Sequence, residues 1–166
     1  LPPLVFVTIN AAWGVTPAAW AGLGLALAVV AWRLVGRKST QYAFSGLIGT
    51  GLAVGLALRS GEARAYFLPG IVSGVFTTAM ILVSILAKRP FVAWSSWVTR
   101  RWPLEWYWHE QVRPAYTLTS WIWFGFFATR TSGQWWLYST DRIEALGVMR
   151  AITGWPGFIA LLAATY

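Results

Sequence analysis

Six apolar stretches separated by short polar loops constrain this chain of 166 residues more than any other feature. Apolar residues make up 57% of the sequence and charged residues 11%, which leaves too little charge to coat a soluble domain of this size. A helix needs about 20 apolar residues to cross the hydrocarbon core of a bilayer. We therefore predict an all-α, polytopic membrane helix bundle that forms a single transmembrane domain over residues 1–166. Its six predicted spans cover approximately residues 1–13, 17–36, 42–59, 67–87, 115–138 and 143–166.

The segment between the fourth and fifth stretches, residues 91–113, is too polar to cross a membrane. It holds five of the chain's 13 tryptophans, mixed with arginine and glutamate. Tryptophan and basic residues are typical of the boundary between a membrane and water, so we predict an interfacial, Trp-rich helix and loop. The five tryptophans are Trp94, Trp97, Trp102, Trp106 and Trp108.

The net charge of +8 would suggest nucleic-acid binding in a soluble protein, but here the basic residues lie between apolar stretches. The loops after the second and fourth stretches hold eight basic and two acidic residues, whereas those after the third and fifth hold three of each. Because positively charged loops stay in the cytoplasm, we predict a multi-pass protein of the inner (plasma) membrane with both termini cytoplasmic. The basic loops would contact membrane lipid, and we exclude a nucleic-acid partner. The eight basic residues are Arg33, Arg37, Lys38, Lys88, Arg89, Arg100, Arg101 and Arg113.

The fifth stretch carries a stripe of rings and polar side chains. If residues 115–138 form one helix, Trp123, Phe127, Arg130, Gln134 and Tyr138 follow at steps of three or four residues and share one face. An arginine inside a hydrophobic span costs roughly 2.5–3.5 kcal/mol on insertion scales, so it should face other helices or a wet cavity. This face is the first place to look for a functional site.

Three of the five acids, Glu62, Asp141 and Glu144, fall at the predicted outer ends of the helices. These polar groups either hold helices together through salt bridges and hydrogen bonds or form a site that supplies a proton or holds an anion. Burial would raise the pKa of such an acid and a nearby arginine would lower it, so the sequence leaves open which acid donates. The other polar members of this outer cluster are Asn10, Arg59, Arg64, Arg130, Gln134, Tyr138 and Arg150.

The rings of the fifth stretch extend through its whole length and include Trp135 and Trp136. Such rings either stabilise a cation, at roughly 0.5–2 kcal/mol per contact when desolvated, or simply pack. The chain has no cysteine and one histidine, His109, so no metal site is predicted. It also lacks nucleotide-binding loops and the acidic pair that binds diphosphate through magnesium, and we predict no cofactor.

Small residues repeat at a spacing of four in two of the stretches, at Gly51 and Gly55 and at Gly70 and Gly74. This spacing allows another helix to approach closely, within the chain or in a second copy that would make an oligomer.

Four segments of the chain, LPPLVFVTIN, LALRSGEARAYFLPGI, KRPFV and ALGVMRAITGWP, resemble the actinobacterial integral membrane family DUF3159 over nearly the whole chain. The LPPLVF start and the KRP element are also distantly similar to the septation protein A family. Some DUF3159 members are membrane terpene cyclases of the drimentine type, which act in natural product biosynthesis. The resemblance implies a protonation-initiated cyclisation of a farnesyl chain attached to an indole diketopiperazine, with a buried acid and aromatic walls.

On this basis we expect a metal-independent membrane terpene cyclase, an isomerase of a lipophilic prenylated substrate. Asp141 or Glu62 would donate the proton, with Glu144 as a third candidate, and Arg130 and Gln134 would position the acid or the polar head. The competing expectations are a non-catalytic envelope scaffold like septation protein A and a small transporter. The residues expected to contact substrate are Trp123, Phe127, Arg130, Gln134, Trp135, Trp136, Tyr138, Asn10, Arg59 and Arg150.

Overall fold

The computed structural model describes residues 2–36 and 41–165, and every regular element in these ranges is a helix. The all-α prediction is confirmed for this part of the chain, whereas Arg37 and Lys38 of the first basic loop lie outside it. A 3₁₀ helix, Ala63–Phe67, precedes α4. The α-helices are α1 (Pro2–Trp13), α2 (Val15–Val35), α3 (Gln41–Ser60), α4 (Leu68–Leu86), α5 (Phe91–Arg100), α6 (Leu104–Trp108), α7 (Arg113–Ser139), α8 (Ile143–Thr153) and α9 (Trp155–Thr165).

The first five apolar stretches correspond to α1, α2, α3, α4 and α7. The sixth stretch differs from its prediction, because it forms two helices, α8 and α9, that meet at Gly154. The polar segment 91–113, predicted as an interfacial helix and loop, forms the two short helices α5 and α6 joined by a loop, and its interfacial position stays a prediction. Pro90 and Pro103 immediately precede these two helices, where a proline's fixed φ and missing N–H do no harm.

Three helical segments among the described residues are long and apolar enough to cross a membrane, as in a membrane protein: Val15–Trp32, Ala63–Leu86 and Ile143–Thr165. α3 contributes only the shorter apolar run Gly46–Ser60. α7 has ample length, about 40 Å for its 27 residues, but its many polar side chains keep it out of this group. The six-span topology therefore stays a prediction.

Several helices end at a residue in the left-handed backbone conformation. Gly14 (φ +87°) and Gly61 (φ +70°) follow α1 and α3, where glycine adopts this conformation without steric cost. After α4, α5 and α7 the equivalent residues are Lys88 (φ 57°), Arg101 (φ 52°) and Asp141 (φ 56°). Three charged side chains thus stand where glycine is the usual residue.

Contacts divide the chain into two compact units. Unit 1 comprises Leu1–Val72 and Gln134–Gly157. In it α2 packs against α1 and α3, the 3₁₀ helix packs against α3, and α8 packs against α1. The buried Phe6 ring of α1 stacks on Tyr66, with centroids 4.0 Å apart, and meets Phe67 edge-on. These rings form the centre of the unit 1 core.

Unit 2 comprises Ser73–Gly133 and Phe158–Tyr166. Its core contains Ile81, Val92, Trp123 and Leu161, surrounded by phenylalanine side chains. α5 is attached to α7 by a buried hydrogen bond of 3.2 Å, in which the Val92 N–H donates to the Ser120 hydroxyl. This bond satisfies one of the N–H groups that the first turn of a helix leaves unpaired.

The four glycines at small-residue spacing have different surroundings. A Cβ added at Gly70 would lie 2.5 Å from the Arg150 guanidinium within unit 1, and one at Gly74 would lie 2.8 Å from the Thr131 hydroxyl within unit 2. At Gly51 and Gly55 a Cβ would meet nothing within 4 Å. Close approach therefore occurs at the second pair, where the neighbours are side chains, and the first pair faces open space.

A closer helix contact lies at Gly147 of α8. A Cβ there would lie 2.6 Å from Cγ2 and 3.4 Å from Cβ of Val7 on α1. Since a β-branched side chain has few alternative rotamers in a helix, Val7 cannot move aside without shifting α1.

We predict that Gly147→Ala lowers the free energy of unfolding by about 1–3 kcal/mol through overpacking. Gly55→Ala is the matched control, because its methyl group enters open space and should leave stability equal or slightly higher. The measurement is equilibrium unfolding in mild detergent followed by circular dichroism. Equal stability of the two variants would contradict the observed contact between α1 and α8.

Candidate functional site

The turn between α7 and α8 positions two charged side chains of unit 1. It is a Schellman motif, in which the Arg142 N–H donates to the Leu137 carbonyl (3.0 Å) and the Asp141 N–H to the Tyr138 carbonyl (3.3 Å). Asp141 occupies the left-handed position of the motif, where aspartate is better tolerated than most residues other than glycine. The local sequence thus ends α7 and places Asp141 and Arg142 next to each other in the same short turn.

The connection from α3 to α4 supplies the opposing charges. Gly61 turns the chain, and the Glu62 N–H donates to the Ser60 hydroxyl at 3.2 Å. The Arg64 guanidinium then donates two hydrogen bonds to the Glu62 carboxylate, at 2.8 Å and 3.1 Å. Arg64 Nε also lies 4.0 Å from Oδ1 of Asp141. Arg64 therefore links Glu62, in the connection from α3 to α4, with Asp141, in the turn between α7 and α8.

Both arginines of this region lie over aromatic rings. The Arg64 guanidinium carbon is 5.6 Å from the centroid of the Tyr138 ring, and that of Arg142 is 5.6 Å from the Trp136 ring. Trp135 stacks on Tyr138, with centroids 6.0 Å apart and planes inclined by 26°. These distances fit cation–π contacts. Two rings that the sequence assigned to a substrate cation thus each hold a cation of the protein itself.

A cleft of about 410 Å³ opens between α1 and the start of α8. Its polar groups are Asn10, Asp141, Arg142 and Glu144, and its remaining walls are apolar. Two neighbouring carboxylates and an amide from the other end of the chain therefore face one concave space. The apolar lining residues are Val7, Ala11, Ile143 and Ala145.

Electrostatics argue against Glu62 as the proton donor. The hydrogen bonds from Arg64, and then its positive charge, lower the pKa of the Glu62 carboxyl from its ordinary value of 4.5. A carboxyl with a lowered pKa is ionised at neutral pH and is a poor proton donor. Glu62 also does not line the cleft. Its geometry fits an ion-pair partner that orients Arg64 better than it fits a general acid.

The other predicted site residues are distributed over both units. Arg59 is exposed on α3, and Arg150 lies over the Phe67 ring at 5.7 Å, so neither lines the cleft. Gln134 is 3% exposed, and its Nε2 has no hydrogen-bond partner among the described residues. Trp135 and Trp136 are more than half exposed.

The N-terminal part of the predicted stripe on α7, with Trp123, Phe127 and Arg130, belongs to unit 2. Trp123 is buried there, with ring centroids of Phe91, Phe127 and Phe158 at 6.2, 6.5 and 5.8 Å. Its indole N–H donates to the Thr165 hydroxyl at 3.3 Å. Within unit 2 these rings fill a core, and the cleft of unit 1 includes none of them.

Sequence reasoning missed Arg142 as a site residue, because it counted only as a loop charge. Its position directly after the turn aspartate is the signal that could have identified it. Among the described residues no three His, Asp or Glu side chains are grouped closely enough to hold a metal ion.

Comparison with known proteins places the chain in a family. A family model described as "Protein of unknown function (DUF3159)" matches residues 1–166. The chain belongs to this family. No curated protein and no solved structure matches this DUF3159 chain. The geometry of the cleft and of the ion pairs that Arg64 forms with Glu62 and Asp141 is therefore the basis for proposing a function.

The lowered pKa of Glu62 makes a prediction about stability and pH. A depressed folded-state pKa contributes stability that is present above the unfolded value near 4.5 and is lost as the pH falls through the lowered pKa. We expect the melting temperature of the wild type to exceed that of Glu62→Gln at pH 6–7 and the difference to shrink as the pH falls below 4.5. Glu110→Gln, at an exposed acid without an ion pair in the described ranges, is the control and should follow the wild type. A difference between wild type and Glu62→Gln that is independent of pH would contradict the ion-pair interpretation.

Proposed function

We propose that this DUF3159 protein is a membrane-embedded, protonation-initiated terpene cyclase. Its substrate would be a prenylated, indole-containing cyclodipeptide or a similar lipophilic molecule. The observation that carries the proposal is the cleft of unit 1, which combines Asp141, Glu144 and Asn10 with apolar walls. An apolar chain with one polar head needs such a mixture.

Two carboxylates in one cleft supply both proton transfers of a cyclisation. One acid, Asp141 or Glu144, gives its proton to a terminal alkene or epoxide, and the resulting cation is attacked by the π electrons of the next double bond. After ring closure the last cation loses a proton from a neighbouring carbon to the other carboxylate. No net redox change occurs, and no cofactor is required by this balance.

The resemblance implies a buried acid, whereas Asp141 and Glu144 are exposed. The Asp141 side chain is 65% exposed, so a lipophilic substrate that fills the cleft would displace water from it. Desolvation favours the neutral form of a carboxylic acid, which is the form that donates. Arg64 would hold Asp141 in position, since its Nε lies 4.0 Å from the carboxylate and Glu62 binds its other side.

The geometry of the rings reduces the set of residues that are expected to stabilise the cation directly. Tyr138 and Trp136 support Arg64 and Arg142, and they would act on the substrate through these arginines. The carboxylates themselves, once ionised, would stabilise the nearest cation electrostatically.

We predict that Asp141→Asn and Glu144→Gln each lower turnover by about 100- to 10,000-fold, the usual contribution of a positioned acid or base. Asparagine tolerates the left-handed conformation at position 141, so the first variant should fold. Glu110→Gln is the matched control and should retain activity, because this exposed acid lies outside the cleft and outside the ion pairs of Arg64. Membranes that contain each protein are incubated with a farnesylated cyclodipeptide, and the product is followed by mass and retention time.

Full turnover by both cleft variants would contradict the site. A folded wild-type protein that leaves every farnesylated cyclodipeptide unchanged would contradict the cyclase and favour the envelope-scaffold alternative.

The same proposal includes a multi-pass topology in the plasma membrane with both termini in the cytoplasm. The chain has no cysteine, so single cysteines can be introduced without background labelling. We predict that Thr140→Cys reacts with a membrane-impermeant maleimide in intact cells, and that His109→Cys reacts only after permeabilisation. Both positions are exposed in the structure, which makes their reactivities comparable. The reverse pattern would overturn the orientation.

A further inference from the structure

Two turns of unit 2 carry basic residues in a conformation that favours glycine. Lys88 occupies the left-handed position of a Schellman motif at the end of α4, where the Arg89 N–H donates to the Ser84 carbonyl at 2.9 Å. Arg101 occupies the equivalent position after α5, and its N–H donates to the Trp97 carbonyl at 2.8 Å. A glycine would be better for the backbone at both positions, so a role of the two side chains would account for them.

Basic side chains lie at both ends of α5, where these two turns are. Lys88, Arg89, Arg100 and Arg101 are all exposed, and Glu105 is the one acid in the sequence from 88 to 108. None of the ion pairs within the described ranges involves Lys88, Arg89 or Arg101. The Arg100 guanidinium lies over the Trp102 ring, at 5.5 Å from its centroid. Both ends of α5 are thus basic, and the Trp102 ring lies beside the second of them.

The same segment, residues 88–108, also carries tryptophans in contact with one another. Trp94 contacts Trp97 and Trp108, with centroids 6.0 and 6.2 Å apart, and Trp102 contacts Trp106 at 4.8 Å. Trp94, Trp102 and Trp106 remain exposed despite these contacts. Linked, partly exposed indoles beside basic residues are typical of the boundary between lipid and water.

The opposite side of this segment is fixed to the protein. Val92, Ala93 and Ser96 of α5 and Tyr107 of α6 are buried, and Ser120 accepts a hydrogen bond from the Val92 N–H. Packing within unit 2 therefore holds α5 and α6 in one orientation.

We propose that residues 88–108 bind the headgroups of anionic phospholipids. Charge complementarity carries the inference, because the four exposed basic groups outnumber the one acid of the segment, and a phosphate can accept hydrogen bonds from the neighbouring basic groups at either end of α5. The apolar segment Ala63–Leu86 ends two residues before Lys88, at the depth where headgroups would lie if it crosses a membrane. An acidic protein partner would match the charges but would leave the exposed tryptophans unexplained. This binding is independent of the proposed cyclase activity.

The test uses the full chain, purified in a neutral detergent, with added phosphatidylglycerol or phosphatidylcholine. Bound lipids are counted by native mass spectrometry, and the melting temperature is measured in parallel. We expect phosphatidylglycerol to bind more tightly than phosphatidylcholine and to raise the melting temperature further. The preference should shrink between 0.1 M and 1 M salt because the charges are exposed.

The double variant Lys88→Gly, Arg101→Gly separates lipid binding from folding. Its backbone is relieved at both turns, so its melting temperature without lipid should equal or exceed that of the wild type. Its affinity for phosphatidylglycerol should fall about fivefold for each charge removed, or roughly 25-fold in total. A second double variant, Lys88→Gln, Arg101→Gln, keeps side chains at both turns and should lose the same affinity.

Arg59→Gln is the matched control, since it removes an exposed arginine from unit 1 and should keep the full preference. Three results would overturn the proposal: equal binding of both lipids by the wild type, wild-type affinity in both double variants, or an equal loss in Arg59→Gln. Tight binding of an acidic protein by a chain that shows no lipid preference would replace the lipid with that partner.

Discussion

The bidentate ion pair between Arg64 and Glu62 organises the polar end of unit 1. Arg64 reaches from the 3₁₀ helix to Asp141 in the turn between α7 and α8, and its guanidinium lies over the Tyr138 ring. The Asp141 and Glu62 side chains are both largely exposed, so burial does not fix their positions. An exposed ion pair contributes little to stability alone, so its value here is geometric. It sets the position of one carboxylate of the cleft.

The backbone at helix ends determines which charged side chains can serve a site. Asp141, Lys88 and Arg101 each occupy a left-handed position that costs roughly 1–2 kcal/mol for a residue with a Cβ. Gly14 and Gly61 occupy the same position where no charge is needed. The charged turns thus lie at the two surfaces to which we assign binding, the cleft and the basic aromatic segment. Local strain kept at functional positions is a general pattern in proteins.

Much of the fold could be predicted from sequence, and parts of the site could not. The helices α1 to α4 and α7 follow from apolar stretches, because hydrophobic periodicity and turn residues are local properties. The break at Gly154 escaped prediction although Gly154 and Pro156 are local helix-breaking signals, because the sixth stretch was treated as one apolar span. The stripe on α7 is also a correct helical face, yet Trp123 fills the core of unit 2 while Tyr138 supports Arg64 in unit 1. Sharing a helix face does not place side chains in the same surroundings.

The sequence by itself determined that this chain is a helical membrane protein of the DUF3159 family, because composition, apolar length and family motifs are written along the chain. Only the tertiary structure decided which acids line the same cleft. Asn10 joins Asp141 and Glu144 through the packing of α1 on α8, a contact between residues more than 130 positions apart. Glu62, which the sequence ranked beside Asp141, is instead neutralised by Arg64, two residues away. Long-range packing and side-chain pairing depend on three-dimensional proximity, and no local pattern encodes them.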